Sequence, residues 1–270
     1  MAEQGKKITA VTIRERKIRG EKIVAVTAYD VAFARLADQA GVDIVLVGDT
    51  LGMVVQGLSS TLPVTVDHIV YHASAVARGL RTAHLVVDMP FMSYQASLED
   101  GMRAAGRLLK EGGAEAVKLE GGEEVASLVE RLTSIGVPVM GHVGMTPQSM
   151  HKFGGFKLQG RTEEQAAAIL ADARALVDAG VYSIVLETIP ASLGAQISAA
   201  IPVPTIGIGA GPDCDGQVLV MHDLLGLSME WSPRFARRYA ELGQLAAQAF
   251  AAYAADVRAG RFPGDKESYR

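Results

Sequence analysis

Cysteine is almost missing from this chain. Its 270 residues include one, Cys214, which excludes an internal disulfide and points to a reducing compartment. Aromatic residues are scarce as well, at 6%, so the core has to be built from Val, Ile, Leu and Ala. That composition suits a sheet covered by helices on both faces. No run of consecutive apolar residues approaches the roughly 18 of a membrane span, and the opening MAEQGKKITAVTIRERK lacks the apolar stretch of a signal peptide. An excess of basic charge is also absent. The net charge is −4 with both signs spread along the chain, which leaves no footprint for nucleic acid. The cluster KIRGEK (17–22) is short and mixed, and reads as a solvated face rather than a binding arm. The expectation is a soluble, cytoplasmic protein.

What is present is a rhythm. Short β-branched runs recur at KIVAVTA (22–28), DIVLVG (43–48), HLVVDM (84–89), AEAVKLE (114–120), VPVMGHVG (137–144), YSIVLE (182–187), VPTIGIG (203–209) and, less distinctly, GQVLVMH (216–222). Amphipathic or Ala-rich segments lie between them, and several end in a glycine just before the next strand: Gly41, Gly113, Gly136 and Gly180. Continuous rather than alternating apolar strands, each followed by a helix, imply a parallel sheet buried on both faces. Eight such units fit a (β/α)₈ TIM barrel better than an open doubly wound sheet. No Pro/Gly/Ser-rich linker divides the chain, so 1–270 reads as one barrel domain. Residues from about 230 to 270 form a C-terminal extension of one or two long helices and a polar tail.

Titratable groups gather at one end of these strands. Asp49 follows the second and Asp88 closes the third; Lys118 and Glu120 finish the fourth, His142 the fifth and Glu187 the sixth. Each has a plain structural reading. Asp49 and Asp88 suit turns or helix N-caps, Glu120 a cap, His142 a hydrogen-bonded core position and Glu187 a surface turn. Lys118 is harder to dismiss, because it alternates with Val117 and Leu119 and so shares a side with Glu120; a buried lysine needs anions. Together the six mark the carboxyl end of a barrel, where active sites are built. Carboxylates and a lysine without His/Cys pairs suit a hard cation such as Mg²⁺ rather than zinc. Such a cation, chelated by an α-keto acid, polarises the carbonyl and stabilises an enolate, with a carboxylate as base. The glycine-rich GIGAGP (207–212) reads equally as a phosphate cradle or as a tight, closely packed turn. No P-loop or dinucleotide fingerprint occurs in its proper context.

These residues sit inside longer strings: VGDTLGMVVQG (47–57), DMPFMSY (88–94), VKLEGG (117–122), GHVGMTPQS (141–149), FGGFKLQGR (153–161), VLETIP (185–190) and IGIGAGPDCDGQVLVMHDLLG (206–226). With TAYD (27–30), TLPVT (61–65) and FPGDKESY (262–269), they make the chain resemble the ketopantoate hydroxymethyltransferase (3-methyl-2-oxobutanoate hydroxymethyltransferase) family nearly end to end. The resemblance implies a TIM barrel of the phosphoenolpyruvate/pyruvate type with one Mg²⁺ per subunit. It also implies hydroxymethyl transfer from 5,10-methylenetetrahydrofolate to 3-methyl-2-oxobutanoate, giving 2-dehydropantoate and tetrahydrofolate in the first step of pantothenate, hence coenzyme A, biosynthesis.

Carried over by motif, Asp49 and Asp88 are the metal ligands, with Glu120 in the metal shell through water. Asp49, Thr50, Asp88 and Lys118 contact the keto acid, Glu187 accepts the proton, and His142 is an accessory polar group. A homodecamer of two stacked pentamers is implied as well. The residues that hold folate are not legible. One departure is Thr50, where the family usually has serine in VGDSLG; the hydroxyl is kept, and a methyl is added. The alternatives are an Mg²⁺-dependent lyase or mutase of the same barrel superfamily acting on an α-keto acid, and a non-catalytic paralogue. A lyase of the isocitrate type calls for a loop cysteine, and a paralogue for eroded strand-end charges. Neither fits a chain whose lone cysteine lies in GPDCDGQ and whose strand-end charges are all in place.

Overall fold

The computed structural model describes residues 6–228 and 233–269. The chain forms two compact units, one ending at Leu219 and the other beginning at Val220. The first is a closed barrel of eight parallel strands in sequence order: β1 (Ile23–Thr27), β2 (Ile44–Val47), β3 (His84–Asp88), β4 (Ala116–Glu120), β5 (Val139–Gly144), β6 (Ser183–Glu187), β7 (Thr205–Ile208) and β8 (Gly216–Leu219). Closure comes from β8 pairing with β1 from Ile23↔Gly216 to Val26↔Leu219.

Among the described residues, nine α-helices belong to this unit. They are α1 (Ala10–Arg19), α2 (Val31–Gln39), α3 (Leu51–Val54), α4 (Val66–Ala77), α5 (Leu98–Lys110), α6 (Ala126–Ser134), α7 (Met150–Phe153), α8 (Glu163–Asp178) and α9 (Ala191–Ala200). Local chemistry sets their ends. Thr65 and Thr162 accept N–H bonds at the starts of α4 and α8, and Ser97 does so at the start of α5. Gly41, Gly113, Gly136 and Gly180 all take positive φ, the left-handed turn that returns each helix to the next strand.

The barrel interior is a layer of Ile23, Ala25, Ile44, Leu46, Val86 and Ala116 with Met140, Val185, Ile206 and Val218. Ile13, fully buried on α1, joins it from the amino-terminal mouth. The cluster 17–22 is the solvated face expected, with 18–22 exposed, and it also carries structural contacts. Arg19 and Glu21 pair in solvent, but Lys17 reaches Asp215 at 2.8 Å and Lys22 donates to the Cys214 carbonyl at 2.6 Å. Arg16 completes the clamp on Asp43 at 2.7 Å. Arg16 and Lys17 are half-buried because α1 is the floor of the barrel and takes partners on the rims of β2 and β8.

The second unit holds α10 (Met221–Leu224) and α11 (Leu242–Arg258). Two expectations are corrected here. The eighth strand stops at Leu219 instead of running to 222, because Val220 caps a helical turn over Met221–Leu224. Beyond it, the described residues contain one long helix, confined to the Ala/Leu/Gln-rich stretch, with 233–241 irregular apart from a turn at 234–235; the start of the expected helical run, at 231–232, lies outside the described residues. Among the described residues no helix is long and apolar enough to cross a membrane.

Candidate active site

A two-residue period builds the site. Val86, Ala116, Met140 and Val185 point into the apolar layer, so Asp88, Lys118, His142 and Glu187, each two positions further on, point the same way one layer higher. Glu120 repeats the step above Lys118. Strand register then brings the group into line: Asp88 pairs with Lys118, and Glu120 with His142. Asp49 breaks the parity, since Gly48 holds the inward position directly after β2. A Cβ at Gly48 would sit 3.3 Å from the Asp88 Oδ2, which instead accepts the Asp49 N–H at 3.0 Å.

The result is a continuous polar line across four strands. Asp88 Oδ1 lies 3.0 Å from Lys118 Nζ, which lies 3.3 Å from His142 Nδ1. His142 Nε2 in turn sits 3.1 Å from Glu187 Oε2, and Nδ1 sits 3.6 Å from Glu120 Oε1. Asp49, Asp88, Lys118, Glu120 and His142 are all buried, while the Glu187 side chain keeps 15% exposure and marks the open side.

Four carboxyl groups therefore face a single ammonium away from water, and their protonation reflects it. Burial, reinforced by Asp88, pushes the Asp49 carboxyl up to about 7. Burial and Asp49 push Glu120 well above the usual carboxylate range. Glu187 rises to about 7 through burial, against the pull of Lys118. Burial works against charge on Lys118, but Asp88, Glu120 and Asp49 outweigh it and hold the ammonium above its ordinary value. Burial and Lys118 push His142 well down. A neutral imidazole that accepts from Lys118 at Nδ1 carries its proton on Nε2, toward Glu187.

Two residues absent from any list of charged groups hold this set in place. Gln148, buried in the loop after β5, donates from Nε2 to Asp49 Oδ2 and to the Met89 carbonyl, both at 2.9 Å. Its Oε1 accepts from the Tyr94 hydroxyl and from Gln95 Nε2, and its backbone N–H donates to Glu120 Oε2, each at 2.9 Å. The Tyr94 hydroxyl accepts the Glu120 N–H at 3.1 Å. An amide does not titrate, so a census of charges passes over it; the signal was its place in GHVGMTPQS. Gln148→Leu is expected to destabilise the protein by about 2–4 kcal/mol, since it strands buried partners at Asp49, Met89 and Tyr94. Urea unfolding measures this, and a loss below about 1 kcal/mol would show that the network contributes little.

Thr50 starts α3 beside Asp49; it is half-buried, and its hydroxyl makes no capping bond. GIGAGP takes the packing role. A Cβ at Gly207 would crowd Cys214 Sγ, and one at Gly211 would collide with Ala191 on α9. Cys214 is fully buried behind that turn. Directly after Glu187, Thr188 has φ 48, a left-handed backbone costly for a β-branched residue, held by its N–H to the Ile208 carbonyl at 2.8 Å.

The likenesses to known proteins agree on a family. A protein from Syntrophotalea carbinolica named 3-methyl-2-oxobutanoate hydroxymethyltransferase is 54% identical over 264 residues, covering 98% of this chain and 99% of its own length. One of the same name from Moorella thermoacetica is 53% identical, covering 99% of each. Among solved structures, 2,3-dimethylmalate lyase, a PEP mutase/isocitrate lyase superfamily member, superimposes with a TM-score of 0.60 at 17% identity, covering 96% of this chain and 91% of its own. Phosphonopyruvate hydrolase, solved with oxalate and Mg²⁺, gives 0.62 at 14%, with 96% and 93% covered. These distant structures share the barrel. A sequence model of ketopantoate hydroxymethyltransferases matches residues 7–265, and with relatives above half identical over full length the chain belongs to that family of transferases.

Proposed function

We propose that the protein transfers a hydroxymethyl group from 5,10-methylenetetrahydrofolate to 3-methyl-2-oxobutanoate, giving 2-dehydropantoate and tetrahydrofolate, the first step of pantothenate synthesis. The observation that carries the reading is the line Asp88–Lys118–His142–Glu187 with Asp49 beside it, at the carboxyl end of the barrel of a chain in this family.

The donor set fits Mg²⁺. It is all oxygen, and its excess of buried carboxylate is what a divalent cation would neutralise. Among the described residues no three of Asp, Glu, His or Cys converge tightly enough to cage an ion unaided. That suits a metal taking one or two direct carboxylates and keeping waters, here Asp49 and Asp88, with Glu120 acting through water. When bound there, Mg²⁺ supplies Lewis-acid polarisation of the keto acid and charge stabilisation of the enolate.

The chain's own residues do the rest. Lys118 and the Thr50 hydroxyl anchor the acidic end of the substrate. Glu187, with a carboxyl near 7, accepts the C3 proton, and the neutral His142 lies beside it, Nε2 3.1 Å from Oε2. The enolate carbon bonds to the methylene carbon of the folate, both bonds from that carbon to N5 and N10 break, and water supplies the new hydroxyl oxygen because the methylene bridge carries none; the C3 proton and one proton of that water end on the two folate nitrogens. The assembly we propose is the homodecamer of two stacked pentamers. The exposed Phe250, Tyr253 and Leu245 on α11, a helix with no buried residue, support an oligomer.

The test is folate-free exchange of the substrate's C3 proton in deuterated water, followed by turnover on adding methylenetetrahydrofolate. Exchange is expected with Mg²⁺, lost with a chelator and restored by Mg²⁺; its absence from the Mg²⁺-loaded protein would sink the proposal. Thr50→Ser is expected to leave kcat within about threefold while lowering the keto acid KM, because it keeps the hydroxyl and frees χ1. An unchanged KM would show that the methyl is accommodated.

A further inference from the structure

A groove opens beside the polar line rather than over it. Its cavity of about 330 Å³ is lined at the inner end by Glu120, His142 and Gln148, and does not include Asp49, Asp88 or Lys118. Two seats thus adjoin along one wall, one for a small chelating acid and one for a flat group of limited size. The groove is walled by Phe91 and Phe153, with Glu124 and Asp172 beside them and Lys152 lying 6.0 Å from the Phe153 ring centre. Thr146 also lines it. That residue is more than nine-tenths buried, and its hydroxyl has no partner among the described residues. Gly122 gives Asp172 its place, because a Cβ there would collide with the carboxyl. One Asp172 oxygen accepts the Glu123 N–H at 3.2 Å, and the other makes no hydrogen bond among the described residues.

We propose that this groove seats the pterin ring of the folate donor, an assignment that rests on the transferase reading above. A pterin is flat, stacks on aromatic faces, and presents an amino-pyrimidine edge of N–H donors that pairs with a carboxylate. The groove offers aromatic walls, an open carboxylate oxygen on Asp172 and a hydroxyl on Thr146. Its acidic lining disfavours a small anion in the same place. Lys152 meets the anionic glutamyl tail, and the inner end brings the methylene carbon to His142, whose Nε2 lies 3.1 Å from Glu187, the side of the enolate.

The experiment uses the Mg²⁺-loaded full chain carrying Asp172→Asn or Phe153→Ala. Asparagine retains the acceptor for Glu123 and replaces the free oxygen with a donor. Each variant is expected to raise the KM for methylenetetrahydrofolate, and the Kd for tetrahydrofolate by calorimetry, about tenfold or more. Folate-free C3 exchange and the keto acid KM stay within about twofold. Folate constants within about twofold of wild type in both variants overturn the assignment, as does a parallel loss of exchange, which would give the groove to the keto acid. Failure of the unmutated enzyme to exchange the C3 proton overturns the transferase reading itself, and is told apart because it appears before any substitution.

Discussion

Glu187→Gln is expected to lower folate-free C3 exchange and overall turnover by about 10²–10⁴-fold while leaving the keto acid KM within a few-fold, because the amide keeps the shape and removes the base. The pH dependence follows from the same carboxyl. Only its ionised form accepts a proton, so with a pKa near 7 wild-type exchange falls about tenfold per unit below that point. The variant, with nothing to ionise at 187, loses that acid limb. Stability moves the other way. An acid whose folded pKa lies above its unfolded value binds more protons when folded, so the native state loses stability as pH rises from about 4.5 to 7. Glutamine carries no such penalty. The metal-free variant is expected to be more stable than metal-free wild type by about 1–3 kcal/mol at pH 8, with the gain gone at pH 4. Unfolding at both pH values checks this, and exchange as fast as wild type would remove Glu187 from the role of base.

Lys118→Met is the second large effect. The substitution keeps much of the stem but deletes the ammonium that pairs with Asp88 at 3.0 Å and donates to His142 at 3.3 Å. Breaking a buried pair on one side leaves the other charge uncompensated, a loss of about 3–5 kcal/mol. With Lys118 as the proposed anchor of the substrate carboxylate, the keto acid KM is expected to rise about 100-fold or more, since among the described residues no other lysine or arginine acts on Asp49 or Glu187. Because Mg²⁺ would supply part of the missing positive charge, the melting temperature gained on adding Mg²⁺ is expected to be larger in the variant than in wild type. A keto acid KM equal to wild type would mean that Lys118 is only a structural counter-ion. An Mg²⁺ gain no larger than wild type would mean that the metal sits elsewhere.

The barrel and its charged rim were legible because both follow from one period. Continuous β-branched runs ending near glycine announce buried parallel strands, and a charge two residues beyond an inward apolar position has to face inward too. Asp49 was legible only through its company, because it lies off that parity. The floor was not legible. Helix α1 buries only Ile13 in a segment rich in charge, so its amphipathic signal is faint and its cations read as solvated. Gln148 and Tyr94 escaped for another reason: their importance lies in hydrogen bonds across loops, which no spacing in the sequence encodes. The end of β8 was missed because an apolar run of that length serves a strand or a helical turn equally well.

The floor helix has a consequence for synthesis. Helix α1 leaves the ribosome long before β8, as its Lys17 anchor on Asp215 lies 198 residues downstream, and β1 cannot find its second neighbour until β8 emerges. The middle strands β3 to β6, which carry the polar line, pair with one another earlier, so the nascent chain assembles an open half-barrel bearing buried-type charges in water. Closure and docking of α1 then arrive together at the end, as a single late step of high contact order. A chain truncated before Gly216 would leave both ends of the sheet as unpaired edges, a template for aggregation rather than a shorter working enzyme.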